Sequence, residues 1–65
     1  MKQYSVIIVS AIPGNKYFVE TKHKYFSNQE NAFRYFDIQS IHESNFYGSV
    51  TDNNTGDLIA EFFND

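Results

Sequence analysis

The chain has 65 residues, a net charge of −3 and no cysteine. This length allows one domain over residues 1–65 with a small core, and the missing thiols exclude disulfides and thiolate metal sites. The longest apolar run, Val6 to Val9, is far too short to cross a membrane, and the N-terminus lacks a signal-peptide pattern. We therefore expect a cytoplasmic protein, in agreement with the absence of cysteine.

Aromatic side chains are unusually frequent, with seven Phe and five Tyr. Large rings give a short chain much buried area per residue, so we expect most of them in the core. Tyr and Phe are also enriched at the centres of protein interfaces. A binding role therefore stays open for any ring that the fold exposes.

All five basic residues precede position 35. Residues 1–34 carry a net charge of +3, and residues 35–65 carry −6. If the two halves fold as separate hairpins, the molecule has a basic side and an acidic side. Such a charge distribution would orient it towards a charged partner.

The first part of the chain predicts a β-hairpin. Tyr4 to Ala11 contains successive β-branched residues, and its two apolar faces indicate a central strand. Ile12 to Asn15 contains the Pro-Gly pair of a type II turn. Lys16 to Phe26 has one mostly charged face, which indicates a strand near a sheet edge. Its other face consists of Tyr17, Val19, Thr21, His23 and Tyr25.

A helix is predicted from Asn28 to Gln39. Ser27 and Glu30 have the spacing of a capping box, in which each side chain accepts a hydrogen bond from the other residue's amide. The apolar stripe of this helix consists of Ala32, Phe33 and Phe36. The segment Ser40 to Asn45 follows as a connector, and we expect Ile41 to anchor it.

A second hairpin is predicted in the last third of the chain. The strands Phe46 to Thr51 and Leu58 to Phe63 flank a polar loop, Asn53 to Gly56. The cross-strand pairs predicted with this loop are Val50–Ile59 and Phe46–Phe63. A bulge at Gly56 is the alternative, and it would shift the pairing by one residue.

The order ββαββ predicts an α+β domain, a four-stranded, mostly antiparallel sheet with one helix on one face. One helix shields one face only, while the other face of the first, third and fourth strands is still apolar. Large apolar patches on soluble proteins usually mark interaction surfaces, so we expect a second copy or a partner to cover this face. The alternative is closure from within, by strong coiling of the sheet and by the connector Ser40 to Asn45.

The sequence contains no pattern typical of catalysis or metal binding. His23 and His42 lack the spacing of metal ligands. The loop that starts at Asp52 does not match a calcium-binding loop, because Gly56 falls one position early and Phe63 stands where such a loop needs Glu. The glycines are isolated and form no phosphate loop, and no nucleophile motif is present. We therefore predict no enzyme activity, no cofactor and no metal.

A nucleic-acid hypothesis rests on the segment Lys22 to Phe26, which mixes cations with rings that can stack on bases. The sequence pI of about 5.1 argues against a phosphate binder. Lys22 and Lys24 also suit the protection of a strand edge against aggregation. Binding of single-stranded nucleic acid, helped by Lys16, is therefore the least favoured hypothesis, and neither nucleic acid nor membrane is an expected partner.

The favoured hypothesis is a small protein-binding module, an inhibitor or adaptor that forms a homodimer and occupies the surface of a larger protein. In size and composition, but in no motif, the chain resembles phage-encoded antagonists of host enzymes or defence systems. The expected partner has a basic or apolar surface. The predicted contact residues are Phe46, Tyr47, Asp52, Asp57, Glu61, Phe62 and Phe63. A structural or assembly homodimer without an inhibitory role is the alternative.

Overall fold

Two antiparallel hairpins flank one helix along the chain. The computed structural model describes residues 3–12 and 14–64, without the side chains of residues 15–17. The elements are β1 (Tyr4–Ile12), β2 (Asn15–Phe26), α1 (Gln29–Ser40), β3 (Asn45–Asp52) and β4 (Asp57–Phe63). Each of these bounds lies within one residue of its predicted position.

The four strands form one sheet in the order β2-β1-β3-β4, and every neighbouring pair is antiparallel. The predicted α+β fold, a four-stranded antiparallel sheet with one helix packed on it, is confirmed. β1 is a central strand, as its two apolar faces indicate, and β2 is an edge strand, as its charged face indicates. The basic first hairpin and the acidic second hairpin therefore lie side by side in one sheet.

Helix α1 covers one face of this sheet. Ala32 and Phe36 are its buried residues, and Phe33 packs against the same cluster with part of its surface exposed. The fully buried strand residues beneath the helix are Val6, Ile8 and Val50. The predicted apolar stripe is confirmed, and removal of these side chains from water is the main favourable contribution to folding.

The N-cap of α1 is Asn28, so the prediction that Ser27 caps the helix was wrong. The Asn28 Oδ1 atom accepts hydrogen bonds from the amides of Glu30 (2.8 Å) and Asn31 (3.4 Å). Its backbone is extended, with φ −121° and ψ 126°, as an N-cap requires. Serine and asparagine cap helices about equally well, so local preference could not choose between these adjacent residues.

Polar side chains anchor the connector between α1 and β3. The prediction that Ile41 does so was wrong, because Ile41 is 80% exposed. The buried Asn45 Nδ2 atom donates to the backbone oxygen and to the Oε1 atom of Gln39, both at 2.9 Å. The Ser10 hydroxyl donates to the Asn45 Oδ1 atom. Since Ser10 points to the same side as Ile8, these bonds hold the connector beside the helix-covered face.

Gly48 and Phe62 are cross-strand partners on the helix-covered face. A Cβ atom at position 48 would lie only 2.7 Å from Phe62 Cδ2 and 2.8 Å from Phe62 Cζ, so the ring takes the place of a side chain there. Aromatic rings are known to compensate for a glycine in a strand in this way. The Phe62 ring also meets Phe36 edge to face, with centroids 5.4 Å apart.

A bulge at Ile59 sets the register between β3 and β4. Before it, Thr51 pairs with Leu58; after it, Val50 pairs with Ala60. The predicted pairs Val50–Ile59 and Phe46–Phe63 were therefore wrong, as was the alternative bulge at Gly56. Without the bulge, Gly48 would oppose Glu61 and a carboxylate would enter the core layer, where burial of a charge is costly.

Gly14 and Gly56 have φ values of 79° and 78°, which is the left-handed region that both predicted turns require. The Gly56 amide donates to the Asp52 carbonyl at 2.7 Å and closes the second loop. Pro13, the other residue of the predicted type II turn, lies outside the described residues.

Candidate interaction surface

The face of the sheet opposite α1 has no covering layer among the described residues, and we call it the open face. Its members follow from the period of two along each strand and from the cross-strand pairs. On the first hairpin they are Ser5, Ile7, Val9, Thr21, His23 and Tyr25; on the second they are Tyr47, Ser49, Thr51, Leu58, Glu61 and Phe63.

The edges of the open face carry exposed apolar side chains. Tyr25 on β2 is 52% exposed, and Leu58 and Phe63 on β4 are 53% and 70% exposed. Between these edges Ile7, Val9 and Tyr47 are half-buried, and Ser49 is 4% exposed. The open face thus carries exposed apolar side chains at both edges, and apolar patches of this kind commonly mark contact with another protein.

Three predicted contact residues form a cluster on this face. The Tyr47 hydroxyl donates to Glu61 Oε2 at 2.8 Å, and the Tyr47 and Phe63 rings are tilted against each other with centroids 5.2 Å apart. These contacts hold an acidic group beside two packed aromatic rings at the β4 side of the open face.

The same hydrogen bond changes the acidity of Tyr47. Donation to Glu61 raises the pKa of the Tyr47 phenol; partial burial and the negative charge of Glu61 also raise it, while a hydrogen bond with Ser49 acts in the opposite direction. Deprotonation would place two negative charges side by side and leave the Glu61 oxygen without its donor. The phenol therefore stays a hydrogen-bond donor at neutral pH.

The other four predicted contact residues lie elsewhere. Phe62 packs between the sheet and α1, as described above. Phe46 is the extra residue at the irregularity between β1 and β3, and its carbonyl accepts from the Asn64 amide at 2.9 Å. Asp52 and Asp57 pair across the end of the second hairpin. The seven residues therefore do not form one continuous surface.

The two aspartates at the hairpin end have different local roles. Asp52 Oδ1 accepts from the Asn54 amide at 2.9 Å and shapes the loop. Asp57 is exposed at the start of β4, and its amide donates to the Thr55 hydroxyl at 3.3 Å. Because Asp52 also pairs with Tyr4, both aspartates lie on the helix-covered side of the sheet, on the same hairpin as Glu61.

The set of predicted contact residues missed the first hairpin. Ile7 and Val9 lie on the open face beside the Tyr47 cluster, and His23 and Tyr25 form its β2 edge, with ring centroids 6.3 Å apart. The alternating pattern of β2 had placed His23 and Tyr25 on one face. The sequence did not reveal the strand order, and it is this order that places the face with His23 and Tyr25 on the same side of the sheet as Tyr47, Glu61 and Phe63.

Lys22 and Lys24 of β2 point away from these rings. Lys22 and Lys24 pair with Ile8 and Val6 and so lie on the helix side, where the Lys24 Nζ atom sits 5.0 Å from the centroid of the Tyr35 ring. A nucleic-acid strand would need cations and stacking rings on one surface. Lys22 and Lys24 do not share a face of β2 with His23 and Tyr25, although Lys24 does share one with the Tyr35 ring.

Among residues 3–12 and 14–64, no group of three or more His, Asp or Glu side chains is arranged to hold a metal ion. In the same part of the chain, α1 is neither long nor apolar enough to span a bilayer. Comparison with protein-family models, with curated proteins and with solved structures found no match in any of the three.

Proposed function

We propose that the protein is a non-catalytic protein-binding module that docks its open face on another protein, as an inhibitor or an adaptor in the cytoplasm. The observation that carries the proposal is the one-sided core. A single helix covers one face of a four-stranded sheet, while the other face presents exposed Tyr25, Leu58 and Phe63 to water. Rings at such positions are typical anchors of protein interfaces.

The charges of the second hairpin favour a basic partner. Glu61 lies within the open face, and Asp52 and Asp57 lie at the end of the same hairpin. Residues 35–65 contain no Lys or Arg, so no cation of this half offsets the three carboxylates. Charges of one sign beside an apolar surface speed association with an oppositely charged partner and select against others.

Site-specific photo-crosslinking in cells that naturally produce the protein tests the proposal. A photoreactive phenylalanine analogue replaces Phe63 on the open face, and in a matched variant it replaces Ile38, which is 50% exposed on α1. We expect a covalent adduct with a protein from position 63 only. Equal capture from both positions, or none from position 63 in a folded variant, would contradict docking through the open face.

One observation also favours the second candidate, an assembly homodimer. The side chains of the open face form cross-strand rows, and the row that contains Glu61 ends in His23 at the other edge. Such a row is complementary to its own reversed copy.

A further inference from the structure

The row with unlike ends runs across all four strands. His23 pairs with Ile7, Ile7 with Ser49, and Ser49 with Glu61. The histidine therefore stands on the β2 edge and the carboxylate on the β4 edge, at the same level along the strands. If a second copy of this row is laid over the first in the reversed direction, His23 of each row lies opposite Glu61 of the other.

A two-fold axis parallel to the strands produces this reversal when two open faces stack. The axis carries β2 of one copy over β4 of the other and keeps every row at its own level. His23 of each copy then faces Glu61 of the other copy. Packed sheets lie about 10 Å apart, a gap that a histidine and a glutamate side chain span together, so an imidazole N–H can donate to the carboxylate.

We infer that the open face binds a second copy of this chain, in a face-to-face dimer whose two-fold axis runs along the strands. The inference rests on the proposed docking role of the open face and names its occupant. Closed two-fold dimers are the commonest assemblies of identical chains. Because a larger partner would take the same face, partner binding and self-association exclude each other.

The neighbouring row fits the same arrangement by volume. It contains Thr21, Val9, Tyr47 and Phe63, in that order across the sheet. In the dimer Phe63 lies over Thr21 and Tyr47 lies over Val9, so the bulkier side chains of one copy meet the smaller ones of the other. Layers pack well when large and small side chains alternate across them.

Charge selects this axis over the perpendicular one. An axis across the strands would stack Glu61 on Glu61 and the acidic hairpin on its own copy. The axis along the strands instead stacks His23 on Glu61, so that neither carboxylate meets its own copy. Like charges in direct opposition are penalised and unlike charges are favoured.

The area is sufficient for a reversible dimer. Four strands about 4.8 Å apart and about seven residues long give a flat face of roughly 450 Å², and the relief of the side chains enlarges it. Two such faces bury on the order of 1,000 Å² in total, where specific interfaces begin. We therefore expect a dimer whose population rises with protein concentration.

Charge reversal at the two ends of the row tests the geometry. Sedimentation equilibrium of the purified full chain gives the dimer Kd for the native protein, for Glu61→Lys and for His23→Glu. The first change puts a cation opposite His23, and the second puts another carboxylate opposite Glu61, twice in each dimer. We expect either single variant to weaken dimerisation about tenfold.

An equimolar mixture of the two variants and the double variant H23E/E61K test the reciprocal pairing. In the mixed dimer, the native His23 and Glu61 face each other at one position, and the two introduced, opposite charges face each other at the second. We expect the mixture, and the double variant H23E/E61K, to dimerise about as tightly as the native protein. An axis across the strands would also bring unlike charges together in the mixture, at position 61. In copies of the double variant, however, that axis would place like charges opposite each other at both positions, so recovery in the double variant identifies the axis along the strands.

The controls separate this effect from net charge and from folding. Asp37→Lys on the exposed side of α1 changes the net charge as Glu61→Lys does, and it should leave the Kd unchanged. Circular dichroism checks that each variant folds. If either unfolds, Thr21→Lys and Phe63→Glu repeat the reciprocal design in the neighbouring row.

The outcomes distinguish the dimer from the proposed function. If the native protein dimerises and neither Glu61→Lys nor His23→Glu weakens the dimer, the two-fold axis does not run along the strands as inferred. A native chain that is monomeric at high concentration, while the photoreactive group at position 63 captures a foreign protein in cells, overturns the dimer and supports the proposed function. A monomer whose photoreactive group captures nothing contradicts both.

Discussion

The start of α1 depends on one side-chain oxygen. Asn28 caps two helix amides, whereas Ser27 is the residue that the capping-box pattern predicts. Loss of an N-cap costs about 1 kcal/mol of stability. We expect Asn28→Ala to lower the free energy of unfolding by about this amount in urea titrations, and Ser27→Ala to leave it nearly unchanged. A larger loss of unfolding free energy in Ser27→Ala than in Asn28→Ala would identify Ser27 as the N-cap.

Tyr47 makes a contribution to stability that depends on pH. Its raised pKa means that the folded protein holds the phenolic proton more tightly than the unfolded chain does. The contribution is therefore fully present below the ordinary tyrosine pKa of about 10 and is lost as the pH rises through the folded pKa.

Glu61→Ala removes the main cause of this shift. We expect the pKa of Tyr47 to fall towards its ordinary value in that variant, because the phenol loses its acceptor and the neighbouring negative charge together. The measurement is an absorbance titration of tyrosinate, in which subtraction of the matching Tyr47→Phe protein isolates the signal of Tyr47. An unchanged Tyr47 pKa would contradict the hydrogen bond to Glu61.

The existence and order of the elements could be predicted from local patterns. The β-branched run from Val6 to Val9 identifies a central strand that is apolar on both faces, and Gly14 and Gly56 mark turns that need a positive φ. Neither inference requires knowledge of what the element packs against. This is why each predicted boundary lies within one residue of its place in the structure.

Register and side assignment could not be predicted in the same way. The bulge at Ile59 is favourable because it puts Phe62 over Gly48 and keeps Glu61 out of the core, and both advantages exist only once α1 is in place. A shift of one residue exchanges the two faces of a strand. The predicted contact residues were therefore a mixture, with Tyr47, Glu61 and Phe63 on the open face and Phe62 on the other.

Engineered disulfides test this register. Directly paired residues on neighbouring strands are close enough for a disulfide, and the chain has no cysteine of its own. We expect S49C/E61C to close in mild oxidation, because these residues are partners across β3 and β4. The pair S49C/A60C belongs to the uninterrupted register and should stay reduced. Mass spectrometry after thiol alkylation distinguishes the two variants. The opposite result would show that β4 has no bulge at Ile59.

The whole molecule has its core on one side of the sheet. Among residues 3–12 and 14–64, six buried apolar residues make up that core, and domains of this size have a free energy of unfolding of about 3–10 kcal/mol. Any molecule that binds the open face of the folded chain, whether a second copy or a partner, adds stability by mass action. Isolated, dilute protein should therefore be the least stable form.

Phe36 is the residue at which this one-sided core is most vulnerable. Its ring contacts Phe33 and Phe62 and joins α1 to β4. Truncation of a buried Phe to Ala costs about 3–5 kcal/mol, which is comparable with the whole stability of such a domain. We expect Phe36→Ala to be largely unfolded in dilute solution, as judged by circular dichroism, while Ile38→Ala on the exposed side of α1 remains folded. A Phe36→Ala protein with native stability would mean that the helix-covered face is not the main core. The open face would then have to contribute to the core, which contradicts its assignment as a docking surface.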